Sequence, residues 1–164
     1  MIAADAARAR FPASRSLRAL GGQQVTGDRV VVHVDGGARG NPGPAGVGVV
    51  VSDPDGNELD RANAYVGETT NNVAEYRALL LGIERAQALG ARDVEIVNDS
   101  ELVARQVTGE YKVKKEDLRM LHAQALQALG AFDRWKIRSV PRLQNEVADA
   151  LVNEAIDARG ATAG

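Results

Sequence analysis

The chain has 164 residues, of which 45% are hydrophobic and 26% are charged, with a formal net charge of −2. This composition predicts one globular domain and excludes wholesale disorder. Cysteine is absent, which excludes disulfides, thiolate nucleophiles and cysteine-ligated metals, and it agrees with a reducing, cytoplasmic location. No apolar run approaches the roughly 20 residues of a membrane span, so we expect no membrane partner.

Charge divides the sequence into unlike parts. Residues 1–27 carry four Arg and one Asp, a net charge of +3, whereas residues 28–164 carry sixteen bases and twenty-one acids, a net charge of −5. We predict a basic, flexible N-terminal extension over residues 1–28, a folded domain over residues 29–158 and a C-terminal tail over residues 159–164. The extension is open to two interpretations, an arm that attracts phosphates or a solvated tail, and we favour the tail.

The first half of the folded domain predicts three strands. Residues 30–34 are β-branched apart from His33 and predict a strand buried on both faces. Residues 36–46 predict a glycine-rich loop, residues 47–51 a second strand, residues 53–57 a hairpin turn and residues 58–66 a third strand. Short connections between these strands indicate an antiparallel meander.

The second half alternates helices and strands. Apolar residues at helical spacing predict helices over residues 73–86, 102–107, 118–129 and 146–158, the first of them stopped by Gly90. Residues 94–97 predict a fourth strand, and residues 134–140 a half-exposed fifth strand at a sheet edge. The predicted fold is therefore α/β, with a mixed five-stranded sheet, three antiparallel strands followed by two parallel ones, flanked by helices.

Four carboxylates fall at positions where such a sheet would gather them. Asp35 and Asp99 directly follow the first and fourth strands, whose carboxyl ends share one edge. Glu75 comes three residues after Asn72, which predicts a capping box, and it can also point back toward Asp35. Asp149 lies early in the last helix, where we expect it at the rim of an inward-facing stripe formed by Val147, Leu151 and Ala155.

Each carboxylate has an ordinary structural explanation as a turn or helix-cap residue, whereas together they would repel one another unless a cation neutralised them. Hard divalent cations such as Mg²⁺ or Mn²⁺ take ligand sets made only of oxygen. Two such ions about 4 Å apart can hold a phosphodiester and activate water against it.

Four segments resemble the motifs of a known family, type 1 ribonuclease H. They run from Asp35 to Pro44, from Thr70 to Glu75, over Asp99 and Ser100, and from Asn145 to Asp149. The acidic positions are separated by 40, 24 and 50 residues, and the likeness covers residues 29–158. The resemblance implies the ribonuclease H-like fold and two-metal hydrolysis of the RNA strand of RNA–DNA hybrids, leaving 5′-phosphate and 3′-hydroxyl ends.

The same resemblance implies which residues act. Asp35, Glu75, Asp99 and Asp149 would be the catalytic residues that bind two Mg²⁺ or Mn²⁺ ions. Minor-groove contacts to the 2′-hydroxyls would come from the glycine loop and the asparagines, and a DNA phosphate would lie near Thr70. The full expected substrate-binding set is Gly36, Gly37, Arg39, Asn41, Thr70, Asn71, Asn72, Ser100, Lys112, Lys114 and Arg142.

The chain departs from the family pattern at three places. It lacks the long basic insertion after the third motif, so it looks like the compact subgroup similar to archaeal and actinobacterial forms; Lys112, Lys114 and Tyr111 would form a smaller surface there. No histidine precedes the fourth motif, and Arg142 is the candidate substitute. Glu101 stands where glutamine is common, which weakens the expected contact at that point.

Other functions stay open on the sequence alone. A domain that binds RNA–DNA hybrid without cutting it, another nuclease on the same fold and a phosphotransferase are the alternatives. Cleavage of double-stranded RNA is a further option, and a monomer is the default. We expect His33, inside a strand, and His122, inside a helix, to be structural rather than catalytic.

Overall fold

A computed structural model describes the backbone of residues 28–163 and the side chains of residues 28–159. Residues 1–27 of the predicted basic extension therefore lie outside the described residues. None of the helices in the described part is both long and apolar enough to cross a membrane.

In the described part of the chain, five strands form one mixed sheet. They are β1 Arg29–Ala38, β2 Gly43–Ser52, β3 Glu58–Thr69, β4 Asp93–Asn98 and β5 Arg134–Ser139. Their spatial order is β3-β2-β1-β4-β5. Strand β2 pairs antiparallel with β1 and β3, and β4 pairs parallel with β1 and β5. The predicted α/β fold is confirmed, and β5 is a half-exposed edge strand, as its alternating charged and apolar residues indicate.

Within residues 28–163, four α-helices connect and cover the strands. They are α1 Asn71–Ala88, α2 Glu101–Val107, α3 Glu116–Leu129 and α4 Glu146–Ala163, the last preceded by a 3-10 turn over Arg142–Asn145. Residues 108–115 join α2 directly to α3, so no basic helix is inserted there. Helix α4 continues to Ala163, beyond its predicted end at residue 158, so most of the predicted tail is helical.

The core lies between the sheet and helices α1 and α3. Its largest fully buried side chains are Tyr76, Leu79, Ile83, Ile96 and Leu129. Helix α4 packs on the opposite face, mainly against β2 and β3.

Partial cover by α4 corrects the expectation that β1 is buried on both faces. Val30, Val32 and Val34 are buried under α1, whereas Val31 and His33 on the other face are half-buried. This difference arises because α4 covers the neighbouring strands more fully than it covers β1.

The predicted loop over residues 36–46 is wrong at both ends. Strand β1 continues to Ala38 and β2 begins at Gly43, so residues 39–42 alone make the connection. Gly36 pairs with Val47 inside the antiparallel ladder. The glycines led to the prediction of a loop. In the sheet, the absence of a side chain at Gly36 instead allows helix α1 to pack closely against β1.

Helix α4 also differs from expectation in the residues that it buries. Val147 is 50% exposed, so it is not part of the inward stripe. The buried residues are Ala148, Leu151, Val152, Ala155 and Ile156. The predicted stripe was placed one residue off at its start, and Asp149 therefore directly follows a buried residue.

Candidate active site

The parallel pairing of β1 with β4 sets Asp35 beside Asp99. The register pairs His33 with Val97, so the same alignment extended by two residues reaches the two aspartates. Asp99 directly follows β4, at the carboxyl edge of the sheet, as predicted, whereas Asp35 lies inside β1, which continues for three more residues paired with β2. Asp35 is only 8% exposed, so its carboxylate has lost most of its solvent.

Gly36 explains how Glu75 reaches this edge. A Cβ added at Gly36 would overlap the carbonyl oxygen of Ala74 in the first turns of α1. Only glycine lets the helix backbone approach β1 so closely. The next residue of the helix, Glu75, thereby comes within electrostatic reach of Asp35.

Gly48 plays the same part on the other face of the sheet. It pairs with Asp35 in the β1–β2 ladder, and an added Cβ would overlap the carbonyl oxygen of Ala148 in α4. The close approach of α4 delivers Asp149, which interacts with Asp35 through a side-chain hydrogen bond as well as through charge. Two helices on opposite faces thus each bring one carboxylate to the pair on the sheet.

The close approach of the other carboxylates changes the pKa of Asp35. Burial, and then the negative charges of Asp99 and Asp149 together with the hydrogen bond shared with Asp149, raise the pKa of Asp35 to about 8. Near neutral pH and without a cation, Asp35 therefore retains a proton and shares it with its neighbours.

Burial also raises the pKa values of Glu75 and Asp99, but each carboxylate has groups nearby that oppose this effect. Burial raises the pKa of Glu75 to about 7, against the opposing effects of the Ser100 hydroxyl and the Arg142 charge. Burial also raises the pKa of Asp99, and Arg142 partly offsets that effect. The Nε atom of Arg142 lies 3.8 Å from Oδ2 of Asp99, with the arginine side chain 76% exposed.

Two carboxylate oxygens at this edge lack any hydrogen-bond partner in the described part of the chain, Oε2 of Glu75 and Oδ2 of Asp99. Buried unpaired acceptors are uncommon in proteins and point to a missing donor or cation. Among residues 28–159, no three acidic or histidine side chains are already closed around one point at ligand spacing.

Helix α1 begins earlier than predicted, so the predicted capping box of Asn72 and Glu75 is wrong. Thr70 is the N-cap, and its hydroxyl accepts a hydrogen bond from the Val73 backbone N–H at 3.3 Å. Asn72 is already inside the helix, so Glu75 lies beyond the capping position. Its carboxylate consequently has no capping role and is available to the acidic cluster.

Asn41 and Asn71 link the loop between β1 and β2 to the start of α1. Oδ1 of Asn71 accepts from the Ala38 N–H at 2.8 Å, and Oδ1 of Asn41 accepts from the Asn71 N–H at 3.0 Å. Because both amide oxygens are engaged, each side chain offers its NH₂ group as a donor.

The remaining residues of the predicted substrate set differ in availability. Gly36 is buried against α1, whereas Gly37 and Asn72 are half-buried, and Lys112 and Lys114 are exposed between α2 and α3. Arg39 is drawn toward α4 instead, where its guanidinium forms an ion pair with Asp157 at 2.7 Å and a hydrogen bond to the Asn153 side chain.

Both histidines have surroundings of their own, apart from the four carboxylates. Nε2 of His122 lies 2.9 Å from the Gln106 carbonyl oxygen, and its ring packs edge-on against Tyr76. His33 is half-buried, and burial together with the Arg138 charge lowers its pKa.

Two buried asparagines support the site, and sequence reasoning assigned no role to either. Asn145, 2% exposed, donates from Nδ2 to the Val34 carbonyl oxygen at 2.9 Å and so fastens the start of α4 to β1. Asn98, 5% exposed, accepts the Ser100 N–H at 2.6 Å. For Asn98 the available signal was a polar residue directly beside a motif acid at the end of an apolar strand, whereas Asn145 stood at the start of the fourth motif.

Four clustered carboxylates at the edge of this sheet define a class of nucleic-acid hydrolase, and comparisons with known proteins identify the family. The family model described as "Reverse transcriptase-like" matches residues 33–155. A ribonuclease HI of Halobacterium salinarum is 46% identical over 135 residues, covering 82% of this chain and 68% of that protein. The chain belongs to the type 1 ribonuclease H family.

Longer relatives and solved structures agree with that assignment. A bifunctional protein of Mycobacterium tuberculosis is 45% identical over a match that covers 82% of this chain. The same match covers only 37% of the Mycobacterium tuberculosis protein, which is therefore much longer. The crystal structure of the Halobacterium salinarum ribonuclease H1 matches with a TM-score of 0.77, covering 79% of this chain and 98% of that one. LC11-RNase H1, solved in complex with an RNA/DNA hybrid, is 46% identical and matches with a TM-score of 0.76 over 79% of this chain and 98% of that one.

Proposed function

We propose that this ribonuclease H is an endonuclease that hydrolyses the RNA strand of RNA–DNA hybrids and leaves 5′-phosphate and 3′-hydroxyl ends. The observation that carries the proposal is the convergence of Asp35, Glu75, Asp99 and Asp149 from two strands and two helices. A relative of 46% identity was solved with the hybrid bound, which supports this choice of substrate.

The donor set fits divalent cations. Every candidate ligand is a carboxylate oxygen, which Mg²⁺ and Mn²⁺ prefer, and a bound cation would relieve the charge crowding that, together with burial, raises the pKa of Asp35. We propose that the four carboxylates hold two such ions. When bound, divalent ions supply Lewis acidity toward the phosphodiester and make water a stronger nucleophile near neutral pH.

The protein's own groups would prepare and orient this reaction. The carboxylate of Asp35 must give up its proton before it can act as a ligand. The hydroxyl of Ser100 holds Glu75, and the charge of Arg142 favours the ionised forms of Glu75 and Asp99. Arg142 is exposed enough to contact a phosphate as well.

Recognition of the RNA strand would fall to the asparagines near the start of α1. The NH₂ groups of Asn41 and Asn71 can donate to a 2′-hydroxyl, which is the group that separates RNA from DNA. The half-buried Gly37 and Asn72 lie beside them, and the Thr70 hydroxyl is a candidate phosphate contact. The exposed Lys112 and Lys114 would add electrostatic attraction to the backbone of the hybrid.

Arg39 has a weaker case as a substrate contact. Its guanidinium is engaged by Asp157 and Asn153 on α4, so binding a phosphate would require exchange of these partners. Because the ion pair is exposed, that exchange involves only a small change in free energy.

Three finer expectations belong to the same proposal. We propose that the enzyme acts in the cytoplasm, in keeping with its lack of cysteine. We propose that it acts as a monomer, and cleavage of double-stranded RNA is the further option that the RNA duplex in the assay decides. Gel filtration with light scattering tests the monomer, and the cleavage assay below tests the substrates.

Cleavage of matched duplexes tests the function directly. A labelled RNA–DNA hybrid, DNA duplex and RNA duplex of one sequence are incubated with Mg²⁺, with Mn²⁺ and with chelator. We expect metal-dependent cutting of the RNA strand of the hybrid, lost in Asp35→Asn and Asp99→Asn and retained in the exposed-turn control Asp55→Asn. Binding of the hybrid without cutting under every metal condition would favour the alternative, a non-cleaving hybrid-binding domain.

A further inference from the structure

Asn98 is buried in the acidic site with one end of its amide fixed. Its side chain is 5% exposed at the end of β4. Oδ1 accepts the Ser100 backbone N–H at 2.6 Å, and the Asn98 carbonyl oxygen accepts the Val140 N–H at 2.8 Å. Because the backbone and Oδ1 are both held, the direction of the remaining amide group, Nδ2, is determined as well.

Nδ2 of Asn98 has no hydrogen-bond partner within the described residues, and the same is true of Oε2 of Glu75 and Oδ2 of Asp99. These three residues, together with Asp35 and Ser100, line one cavity of about 10 Å³. A cavity of roughly 10 to 15 Å³ holds one water molecule, provided that two to four polar partners surround it.

The unpaired atoms match the hydrogen-bonding capacity of one water. Nδ2 is a donor and the two carboxylate oxygens are acceptors, so a water molecule can accept from the first and donate to the other two. We propose that Asn98 holds a single internal water that links Glu75 to Asp99 from behind and thereby positions both carboxylates for their cations. This inference rests on the proposed function and adds a positioning residue to it.

The polarity of the amide decides between water and a cation at this point. The NH₂ group carries partial positive charge and donates only, so it repels a cation placed against it. Divalent ions would accordingly bind on the open side of the carboxylates, whereas the inner end of the cavity takes the water. Partners that orient metal ligands in this way alter metal affinity or activity by about 10- to 100-fold when they are mutated.

Two substitutions separate this positioning role from a purely structural one. Asn98→Ala removes both the acceptor for the Ser100 N–H and the Nδ2 donor. Asn98→Ser keeps a hydroxyl that can accept the Ser100 N–H, but its side chain is one bond shorter than that of asparagine and does not reach the water. The control is Asn57→Ser, in the turn between β2 and β3.

The readout is Mn²⁺ binding by the free protein, measured by titration calorimetry with circular dichroism as the check on folding. We expect Asn98→Ala and Asn98→Ser to bind Mn²⁺ about tenfold more weakly, with the control unchanged. Wild-type affinity in Asn98→Ser beside weakened binding in Asn98→Ala would show that only the turn matters and would overturn the proposal.

A high-resolution crystal structure of the wild-type protein provides a second test that needs no variant. We expect one water within hydrogen-bonding distance of Nδ2 of Asn98 and of the Glu75 and Asp99 carboxylates. A cation at that position, or a closed cavity without water, would overturn the inference. Neither measurement uses the hybrid, so failure of the proposed cleavage activity would be seen separately in the duplex assay.

Discussion

Neutralising Asp35 should make the metal-free protein more stable above neutral pH, which is the opposite of the usual effect of a mutation in a buried site. In the folded state the pKa of Asp35 is raised to about 8, whereas in the unfolded chain it is about 3.9. Between these values the folded protein keeps a proton that the unfolded chain has released. The free energy of unfolding therefore falls as pH rises through this interval, and it does not change further above about pH 8 on account of this group.

The size of the effect follows from the same interval. At about 1.4 kcal/mol per pH unit, a span of about 4 units sets a ceiling near 6 kcal/mol. Burial is the largest cause of the raised pKa, and the charges of Asp99 and Asp149 add to it. Because a neighbouring carboxylate can take up the proton once Asp35 is replaced, we expect about a third of this ceiling, roughly 2 kcal/mol. For a domain of this size that amounts to a rise in Tm of roughly 4 to 8 °C.

Thermal melts of wild type and Asp35→Asn in chelator, from pH 3.5 to pH 9, measure this effect. Asparagine has nearly the same shape, so packing is preserved and the two Tm values should converge at the acid end. Excess Mg²⁺ at pH 9 should raise the Tm of the wild type more than that of the variant, because ligand binding to the folded state stabilises it. The reasoning would be refuted by an Asp35→Asn protein that is no more stable than wild type at pH 9, or by a gain that is equal at both ends of the pH range. Asp55→Asn, in an exposed turn, is the control and should show no such trend.

Three further perturbations test other parts of the account. Arg142→Ala removes the charge that favours the ionised carboxylates, so the acidic limb of the cleavage pH profile should move to higher pH, while Arg142→Lys should restore most of the wild-type profile. Gly36→Ala places a methyl group against the backbone of α1 and should lower the free energy of unfolding by about 1 to 3 kcal/mol in denaturant melts; Gly130→Ala, where there is room for a methyl group, should not. The double variant Lys112→Ala, Lys114→Ala should bind hybrid more weakly and reduce the slope of log affinity against log salt by about 2; an unchanged slope would remove these lysines from the interface.

The fold could be predicted from the sequence because its local signals agree with one another. Runs of valine, turn residues and helical periodicity gave every strand and α-helix of the described domain in the right order. The errors fell where tertiary packing overrides local preference. Gly36 and Gly37 suggested a loop because glycine weakens strands, but at Gly36 the packing of α1 against the sheet requires it.

The position of the four acids was predictable, whereas their supporting contacts were not. Asp99 follows β4 and Asp35 lies at the matching level of the neighbouring parallel strand β1, and the topology alone brings such residues together. Asn145 bonds to the Val34 carbonyl oxygen, which a distant part of the chain supplies, whereas the bond that Asn98 accepts from the Ser100 N–H is local and resembles an ordinary turn. The N-cap at Thr70 was missed because Asn72 and Glu75 had the spacing of a capping box, and only the backbone angles distinguish the two.

The central claim is that Asp35, Glu75, Asp99 and Asp149 together bind divalent cations. Anomalous diffraction from crystals soaked in Mn²⁺ locates such ions directly. We expect two peaks about 4 Å apart, each within about 2.3 Å of oxygens from these four side chains, and their loss in crystals of Asp35→Asn. Mn²⁺ bound elsewhere, with this cluster left without a peak in an enzyme that still cuts the hybrid, would contradict the account.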